Sequence, residues 1–215
     1  MTWSYHIWKI KMNKKLKEFY KSRYSLIKDK LDFTKIDTTL VEDEFVMLKG
    51  NNPIMIIGEA PGGTEVELGK PFCGPAGKNL DYLISISRLT KEKDILITNA
   101  LPFRTFENTE KGVKNRTPNK DELRVGSELL IKELKIVKPK VILLLGGSAK
   151  SAVKFIPELK EQMKTLQRDE YREIELYGFK TILTTTYHPS PLVYNTKAKA
   201  LILQNYFKNI LNKIY

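Results

Sequence analysis

The chain has 215 residues, 41% of them hydrophobic, a length that suits one well-packed α/β domain better than two. Its 37 Lys and Arg exceed 25 Asp and Glu, and the formal net charge of +12 favours a polyanionic partner such as nucleic acid, although a lysine-rich surface kept for solubility has the same composition. The single cysteine, Cys73, excludes an intramolecular disulfide, a four-cysteine zinc site and a four-cysteine iron–sulfur cluster.

The N-terminal segment is basic and amphipathic. Met1 to Lys30 has apolar residues at helical spacing among lysines, which predicts a packed helix; a targeting peptide is the alternative, and the acidic Glu18 and Asp29 argue against it. No apolar run approaches the roughly 18 residues of a membrane span. We therefore expect an intracellular protein that is not secreted and has no membrane partner.

Four short apolar runs predict buried strands. They are Ile54 to Ile57, Ile95 to Asn99, Val141 to Leu145 and Lys180 to Thr186. Helices are expected at Met12 to Lys30, Ala76 to Ser87, Lys120 to Val137, Ser148 to Phe155 and Thr196 to Asn212. This alternation predicts an α/β fold, a single-domain three-layer α/β/α arrangement with a central four-stranded parallel sheet. The domain is expected to span residues 1–215, with a basic helical region at 1–50.

A long loop is predicted between Leu101 and Asn119. It carries Arg104, Lys111, Lys114 and Arg116 together with Phe103 and Phe106. Cations interleaved with aromatic rings suit a nucleic-acid strand, because the cations meet phosphates and the rings offer stacking faces. A solvated insertion whose phenylalanines pack underneath is the alternative, and the sequence does not decide between the two.

The residues that follow the first predicted strand indicate a site. Gly58-Glu59-Ala60-Pro61-Gly62 comes directly after Ile54 to Ile57. In open α/β sheets the ligand crevice lies beyond the carboxyl ends of the strands, so Glu59 is expected at its mouth. A solvated loop glutamate is the alternative.

Four segments, taken in order, resemble the motifs of family 4 uracil-DNA glycosylases. They are Gly58 to Gly77 with Glu59, Glu65 and Phe72, then Ile97-Thr98-Asn99, Leu144-Leu145-Gly146 and His188-Pro189-Ser190-Pro191-Leu192. The resemblance covers about Ile54 to Asn212. It implies a monofunctional DNA repair enzyme that hydrolyses the bond between uracil and deoxyribose and leaves an abasic site.

The chemistry of that bond suggests roles for two catalytic residues. Cleavage leaves an oxocarbenium-like sugar and an anionic base, so opposite charges need stabilisation on the two sides of one bond. In this interpretation Glu59 orients or activates water and stabilises the sugar cation, and His188 donates a hydrogen bond to O2 of the base. A structural histidine is the alternative for His188.

Five residues are expected to bind the base. Asn99 offers the donor and the acceptor that the N3–H and O4 edge of uracil requires, although a turn asparagine is the alternative. Phe72 would stack on the extruded base or is otherwise a core ring. Glu65 is assigned to the pocket wall near C5, where bulk would reject the thymine methyl group. Gly58 and Ala60 would let the main chain approach the substrate.

Further residues are expected to contact DNA. Leu192 matches the position from which the superfamily pushes an apolar wedge into the duplex. Ser190 and the start of the helix at Gly147 and Ser148 are candidate phosphate contacts, although Gly-Gly-Ser also suits an ordinary helix start. The predicted DNA-binding set is completed by Arg104, Lys114 and Arg116.

The resemblance breaks at the cofactor. Family 4 enzymes usually hold a four-cysteine iron–sulfur cluster, and two of the matching positions here are Phe103 and about Gly126. The N-terminal cysteine pair is missing as well, so we expect neither cluster nor other metal or cofactor, and we expect Phe103 and the N-terminal helix to pack in its place. A related branch captures the sugar with a loop histidine. The segment Lys111 to Thr117 has none, so no covalent trap is expected.

Two other functions stay open at this point. One is a catalytically inactive uracil-binding or DNA-binding accessory protein, against which the intact Glu59, Asn99 and His188 argue. The other is a glycosylase for another deaminated base such as hypoxanthine, because a resemblance establishes a scaffold more firmly than a substrate. The expected partner is uracil-containing DNA, single- or double-stranded, bound by a monomer in a prokaryotic cytoplasm or a eukaryotic nucleus.

Overall fold

The computed structural model describes residues 2–39, 41 and 53–215, without the side chains of residues 2–13 and 92. Part of the predicted N-terminal region 1–50 therefore lies outside the described residues. The strands are β1 (Ile36–Asp37), β2 (Ile54–Gly58), β3 (Ile95–Asn99), β4 (Arg104–Thr109), β5 (Gly112–Asn115), β6 (Val141–Leu145), β7 (Tyr171–Leu176) and β8 (Phe179–Thr186).

Ten α-helices are found in the described part of the chain. They are α1 (Thr2–Ile27), α2 (Gly63–Leu68), α3 (Pro75–Ser85), α4 (Lys91–Asp94), α5 (Lys120–Val137), α6 (Gly146–Val153), α7 (Lys160–Thr165), α8 (Pro191–Tyr194), α9 (Lys197–Asn205) and α10 (Asn212–Ile214). Short 3₁₀ helices occupy Phe33–Lys35 and Pro157–Leu159, and a π-helical segment, Tyr206–Leu211, continues α9.

The central sheet confirms the predicted α/β class. Its strand order is β3-β2-β6-β8-β7, and the first four strands are parallel, as the sequence predicts. The fifth strand, β7, pairs antiparallel with β8 and was not predicted. Its residues alternate between exposed and half-buried before Leu176, so this edge strand has no continuous apolar run.

The core lies on both faces of the sheet, which explains the continuous apolar runs. Along β2, Met55 and Ile57 join a cluster with residues of α1, α5 and α6, whereas Ile54 and Ile56 join a second cluster with residues of α3 and the C-terminal helices. All five β2 residues are buried. A parallel strand covered on both faces needs apolar side chains at every position.

The region from Leu101 to Asn119 is not the predicted long loop. It forms a β-hairpin of β4 and β5, and β1 pairs with the outer side of β4. The hairpin turns at Glu110-Lys111, and Gly112 follows with φ of 106°. Every β5 residue is exposed, so the sequence of this strand lacks the alternation of apolar and polar residues that marks a half-buried strand.

Candidate active site

The carboxyl ends of the parallel strands meet at one edge of the sheet and bring the predicted site residues together. Gly58, the last residue of β2, lies opposite Asn99, the last residue of β3. At the other side of β2, β6 runs directly into α6, and β8 ends two residues before His188. Residues that are up to 130 positions apart in the chain therefore share one edge, as the parallel arrangement requires.

Gly58 allows Phe72 and Asn99 to close over the end of β2. A methyl group added at Gly58 would lie 2.5 Å from Cζ of Phe72 and 2.6 Å from Oδ1 of Asn99. Both side chains are nearly buried, at 7% exposure each. The backbone of Phe72 has a positive φ of 51°, a conformation that is strained for an aromatic residue and is typical of functional sites. Ala60, two residues after Gly58 in the loop that follows β2, is half-buried.

His188 is held between Phe72 and the start of α6. The Phe72 and His188 ring centroids are 6.1 Å apart, with 37° between their planes. A methyl group at Gly146, whose φ is 81°, would lie 2.8 Å from Cβ of His188. Nδ2 of Asn79 donates a 2.8 Å hydrogen bond to the carbonyl of Pro189. Burial lowers the pKa of His188, and the Glu59 charge opposes this shift, so the imidazole is neutral at neutral pH and still carries one N–H donor.

Glu59 is oriented by a hydroxyl group from α6. Oγ of Ser148 donates a 2.6 Å hydrogen bond to Oε2 of the Glu59 carboxylate. The backbone carbonyl of Glu59 accepts a 3.1 Å hydrogen bond from the amide of Leu101, which links the loop after β2 to the loop after β3. The Glu59 carboxylate is close enough to the His188 imidazole for its charge to act on the ring. A carboxylate and an imidazole are a pair suited to the separation of charge across one bond.

Comparison with known proteins assigns this site to a family. A family model described as the Uracil DNA glycosylase superfamily matches residues 46–214. The chain belongs to this superfamily. Among similar proteins are three that bear the name Type-4 uracil-DNA glycosylase. The first, from Saccharolobus solfataricus, is 32% identical over 155 residues, covering 72% of this chain and 68% of that protein.

The second, from Pyrobaculum aerophilum, is 34% identical over 174 residues, covering 79% of this chain and 82% of that protein. The third, from Thermotoga maritima, is 33% identical over 142 residues, covering 66% of this chain and 67% of that protein. These matches confirm the family resemblance that the four motifs indicate. No helix in the described part of this superfamily member is long and apolar enough to cross a membrane.

Glu65, predicted to lie in the pocket wall near C5 of the base, is held by two backbone amides. Its Oε2 accepts a 3.1 Å hydrogen bond from the amide of Gly62, and its Oε1 accepts a 2.9 Å hydrogen bond from the amide of Gly74. Both oxygens are therefore engaged by the backbone of the first superfamily motif. This bridge favours a structural role, in which Glu65 ties together the two ends of the loop that carries Phe72.

Ser148 has a side-chain contact that the sequence did not predict. Its hydroxyl group donates to Glu59, while the phosphate contact predicted for the backbone amides at the start of α6 stays a prediction. Gly147, next to it, is exposed, and a methyl group added there would meet no other atom within 4 Å. Ser190 begins α8 and accepts backbone hydrogen bonds from Val193 and Tyr194, as helix-start residues do.

Leu192 and the hairpin give this superfamily member an exposed face beside the site. Leu192 is 84% exposed, on α8 directly after the His188 segment. On the hairpin, Nε of Arg104 donates a 2.7 Å hydrogen bond to Oδ1 of Asn115, and the Lys114 side chain is 71% exposed. An exposed large apolar side chain and exposed basic side chains are both common on surfaces that bind nucleic acid.

Arg116, by contrast, is committed to an internal ion pair. Its guanidinium donates hydrogen bonds of 2.7 and 2.5 Å to the two oxygens of Glu122, a residue whose side chain is only 5% exposed. These bonds raise the pKa of Arg116. The pair joins the hairpin to the first turn of α5, where Glu122 also completes the capping box of Asn119. We therefore assign Arg116 to the scaffold rather than to the predicted DNA surface.

The residues at the cluster positions do not fit an iron–sulfur group. Phe103 is buried at 1% exposure, and a methyl group at Gly126 would lie 2.1 Å from the carbonyl oxygen of Ala100, so no cysteine side chain has room there. The only cysteine, Cys73, lies 3.2 Å from the carbonyl of Lys70. No group of three or more His, Cys, Asp or Glu side chains that could hold a metal ion occurs among the described residues.

A buried polar network next to Asn99 was missed by the sequence analysis. The Tyr20 hydroxyl donates a 2.5 Å hydrogen bond to Glu133, and the Thr98 hydroxyl donates a 3.0 Å bond to the other oxygen of the same carboxylate. Glu133 is 2% exposed, and burial raises its pKa against the opposing effects of Arg23 and these hydrogen bonds. Its position on the apolar face of α5 was the only sequence signal. The network links α1, α5 and β3.

Proposed function

We propose that this protein is a uracil-DNA glycosylase that hydrolyses the N-glycosidic bond of uracil in DNA and leaves an abasic site. One observation carries the proposal: Glu59, Asn99, Phe72 and His188 stand together at the carboxyl ends of the sheet of a Uracil DNA glycosylase superfamily fold. The relatives named Type-4 uracil-DNA glycosylase support the same reaction.

The two ionisable groups are assigned opposite tasks in the reaction. Glu59, oriented by Ser148, stabilises the positive charge that develops on the sugar and positions the attacking water. His188, neutral because burial lowers its pKa, donates its N–H to O2 of the base as negative charge develops there. A neutral donor suits this task because it leaves no net positive charge in the pocket before the base becomes anionic.

Asn99 and Phe72 are assigned to base selection. The Asn99 amide is placed opposite Gly58, where it can donate to O4 and accept from N3–H of uracil, while cytosine presents the opposite pattern of donors and acceptors at these positions. The Phe72 ring, packed against Gly58 and near His188, offers a stacking face for the extruded base.

The decisive experiment is an excision assay on defined oligonucleotides. The purified protein is incubated with single-stranded and double-stranded DNA that contains one uracil, and abasic sites are then cleaved with alkali. Cleavage at the uracil position, with none in a matched oligonucleotide that carries thymine, is the expected result. Tight binding to the uracil strand without any cleavage at saturating protein would instead establish the binding-protein alternative.

A third substrate tests the other alternative. The same oligonucleotide with hypoxanthine in place of uracil separates a uracil enzyme from a glycosylase for another deaminated base. We expect faster cleavage at uracil, because Phe72 and Asn99 close tightly over Gly58 and hypoxanthine is a larger, purine ring. Its N1–H and O6 repeat the donor and acceptor of uracil, so the Asn99 amide alone does not separate the two bases. Faster cleavage at hypoxanthine would overturn the substrate assignment while leaving the reaction type in place.

The proposed partner is DNA, and the proposed working form is a monomer located wherever the cell keeps its DNA. The net charge of +12, the exposed Leu192 and Lys114 and the half-buried Arg104 support the first part. Affinity for a uracil oligonucleotide should fall steeply with salt, since each phosphate that is neutralised adds about 0.7 to 0.9 to the slope. Sedimentation of the protein with and without DNA tests the monomer.

A further inference from the structure

A second cavity lies against the candidate active site. Its volume is about 510 Å³, and Gly147, Lys150, Arg168, Thr186 and Tyr187 are among its lining residues. Gly146 lines the cavity too and packs against His188, while Tyr187 immediately precedes His188 in the chain. The cavity therefore lies beside His188. None of the roles assigned so far uses its basic residues.

The Arg168 guanidinium lies over an aromatic ring. Its guanidinium carbon lies 3.9 Å from the centroid of the Tyr187 ring, and Nζ of Lys199 lies 5.8 Å from the same centroid. Arg168 is exposed, and no hydrogen bond or ion pair within the described part of the chain uses its guanidinium. Stacking orders the planar group, so its N–H donors are directed outward at reduced entropic cost.

A second cation lies in the same cavity. Nζ of Lys150 donates a 2.6 Å hydrogen bond to the carbonyl of Leu166, which leaves two of its three donors for another group. Burial, together with the positive charges of Lys154 and Arg168, lowers the pKa of Lys150. An anion placed in the cavity would relieve this repulsion between cations.

The neighbouring carboxylates act on these cations through their charges, Glu170 on Lys150 and Asp169 on Arg168, but their hydrogen bonds are made to other groups. Asp169 accepts a 2.6 Å hydrogen bond from the Thr186 hydroxyl, and Glu170 accepts a 3.0 Å hydrogen bond from the amide of Gln167. Among the described residues neither carboxylate forms an ion pair with Lys150 or Arg168. The charged residues that line the cavity within the described part of the chain are nevertheless Lys150 and Arg168, both cations. The cavity lies next to the uncapped start of α6, where backbone amides favour anions.

We propose that this cavity binds a backbone phosphodiester of the DNA strand, adjacent to the nucleotide that enters the active site. The inference rests on the proposed function and adds a phosphate subsite to it. The Arg168 fork contacts two phosphate oxygens, and Lys150 adds a point charge. Because Tyr187 and Gly146 border both the cavity and His188, a phosphate bound here fixes the position of the strand relative to the imidazole.

The test asks whether removing the Arg168 side chain and neutralising one particular phosphate have effects on DNA affinity that are not additive. Binding is measured with DNA that carries a tetrahydrofuran abasic analogue, which has no base to release, and each phosphate around the analogue is replaced in turn by a neutral methylphosphonate. For the unaltered protein, one replacement is expected to weaken binding about tenfold. Arg168→Ala should weaken binding to unmodified DNA by a similar factor and should show no further loss with that same methylphosphonate.

The matched control is Arg124→Ala. Arg124 also lies over an aromatic ring, 5.6 Å from the centroid of Phe155, but it is located on α5 and is ion-paired with Asp121. We expect unchanged DNA affinity for it. Arg168→Lys, which keeps the charge but loses the fork, should have intermediate affinity. The salt slope of Arg168→Ala should be lower by about 0.7 to 0.9.

Additive losses at every methylphosphonate position, or an unchanged salt slope, would overturn the subsite. Free phosphate is another source of the same chemistry. If inorganic phosphate raises the melting temperature of the unaltered protein but not of Arg168→Ala, and no methylphosphonate couples, the cavity is an ion site and the proposal is wrong. If Arg168→Ala and one methylphosphonate have non-additive effects but the separate assay finds no uracil excision, the proposed function alone is refuted. If uracil is excised but no methylphosphonate shows such an effect, only the subsite is refuted.

Discussion

The Ser148 hydroxyl donates its hydrogen bond to Oε2 of Glu59 over a distance of 2.6 Å, although 89 positions separate the two residues. Glu59 follows β2, and Ser148 lies in the first turn of α6. No other hydrogen bond to this carboxylate comes from a side chain within the described residues. The contact restricts rotation of the carboxylate and leaves Oε1 available for water or for the sugar. Ser148 is therefore a positioning residue for Glu59.

Ser148→Ala is expected to lower the rate constant of uracil excision about tenfold, because a hydrogen bond to a charged group is lost and the carboxylate rotates more freely. DNA affinity and the melting temperature should change little. Single-turnover kinetics with saturating enzyme measure the rate constant. Ser85→Ala removes a hydroxyl group from an exposed position of α3 and serves as the control. A loss of affinity with an unchanged rate constant would instead assign the Ser148 hydroxyl group to DNA binding and contradict its positioning role.

His188→Ala should reduce the excision rate constant by about a hundredfold or more, while DNA binding is largely retained, since the donor acts on charge that develops only during the reaction. Rate constants from single-turnover assays and affinities from anisotropy provide the two quantities. A larger effect on affinity than on rate would reassign His188 to DNA binding.

The pH dependence of the rate follows from the same residue. Burial lowers the pKa of His188 below its ordinary value of 6.5, so the neutral imidazole is the major form at pH 6.5 and becomes more so as the pH rises. The single-turnover rate constant should therefore not fall as the pH rises from 6.5 to 8. A decline with a midpoint near 6.5 would show that the reaction needs the imidazolium ion and would contradict a neutral donor.

Asn99→Asp is expected to shift the ratio of excision from uracil toward cytosine. The carboxylate keeps the acceptor that the N4–H group of cytosine needs and loses the amide donor that O4 of uracil needs. The measurement compares initial rates on two oligonucleotides that differ only at the target base. An unchanged ratio would show that Asn99 does not read the base edge.

Leu192→Ala should affect double-stranded DNA more than single-stranded DNA. Leu192 is 84% exposed beside the site, and an inserted apolar side chain compensates for the unstacking that extrusion requires only in a duplex. We expect a roughly tenfold slower excision from duplex DNA and little change on a single strand. Leu201→Ala on α9, where the leucine is 55% exposed, is the matched control. Equal losses on both substrates would exclude a wedge.

Glu133→Gln is expected to change how stability depends on pH. Burial raises the pKa of Glu133 above 4.5, so the folded protein retains a proton that the unfolded chain releases. The free energy of unfolding of the native protein, relative to the variant, should therefore fall as the pH rises from 4.5 through the raised pKa. Urea titrations at several pH values measure it. Glu128→Gln, an exposed position on α5, is the control, and a pH-independent difference would contradict the prediction.

Much of the fold follows from local patterns. The strands β2, β3 and β6 are buried on both faces, so their apolar runs are continuous and the sequence predicts their positions. The bounds of α5 agree with the predicted Lys120 to Val137, because Asn119 caps its start and Lys138-Pro139 ends it. The sequence did not predict the edge strand β7 or the hairpin, because their exposed and half-buried residues form no continuous apolar run.

By itself the sequence determined which residues stand at the active edge. Parallel strands have their carboxyl ends at one edge of the sheet. Once the strands were predicted, that edge was also the predicted position of Glu59, Asn99 and His188. Only the tertiary structure decided which partner each side chain takes. Ser148 reaches Glu59, Glu133 joins Tyr20 from 113 positions away, and Arg116 pairs with Glu122 instead of facing the solvent. Such pairings depend on how helices and strands pack against each other. The hydrophobic periodicity of a single helix or strand does not specify its distance from its neighbours.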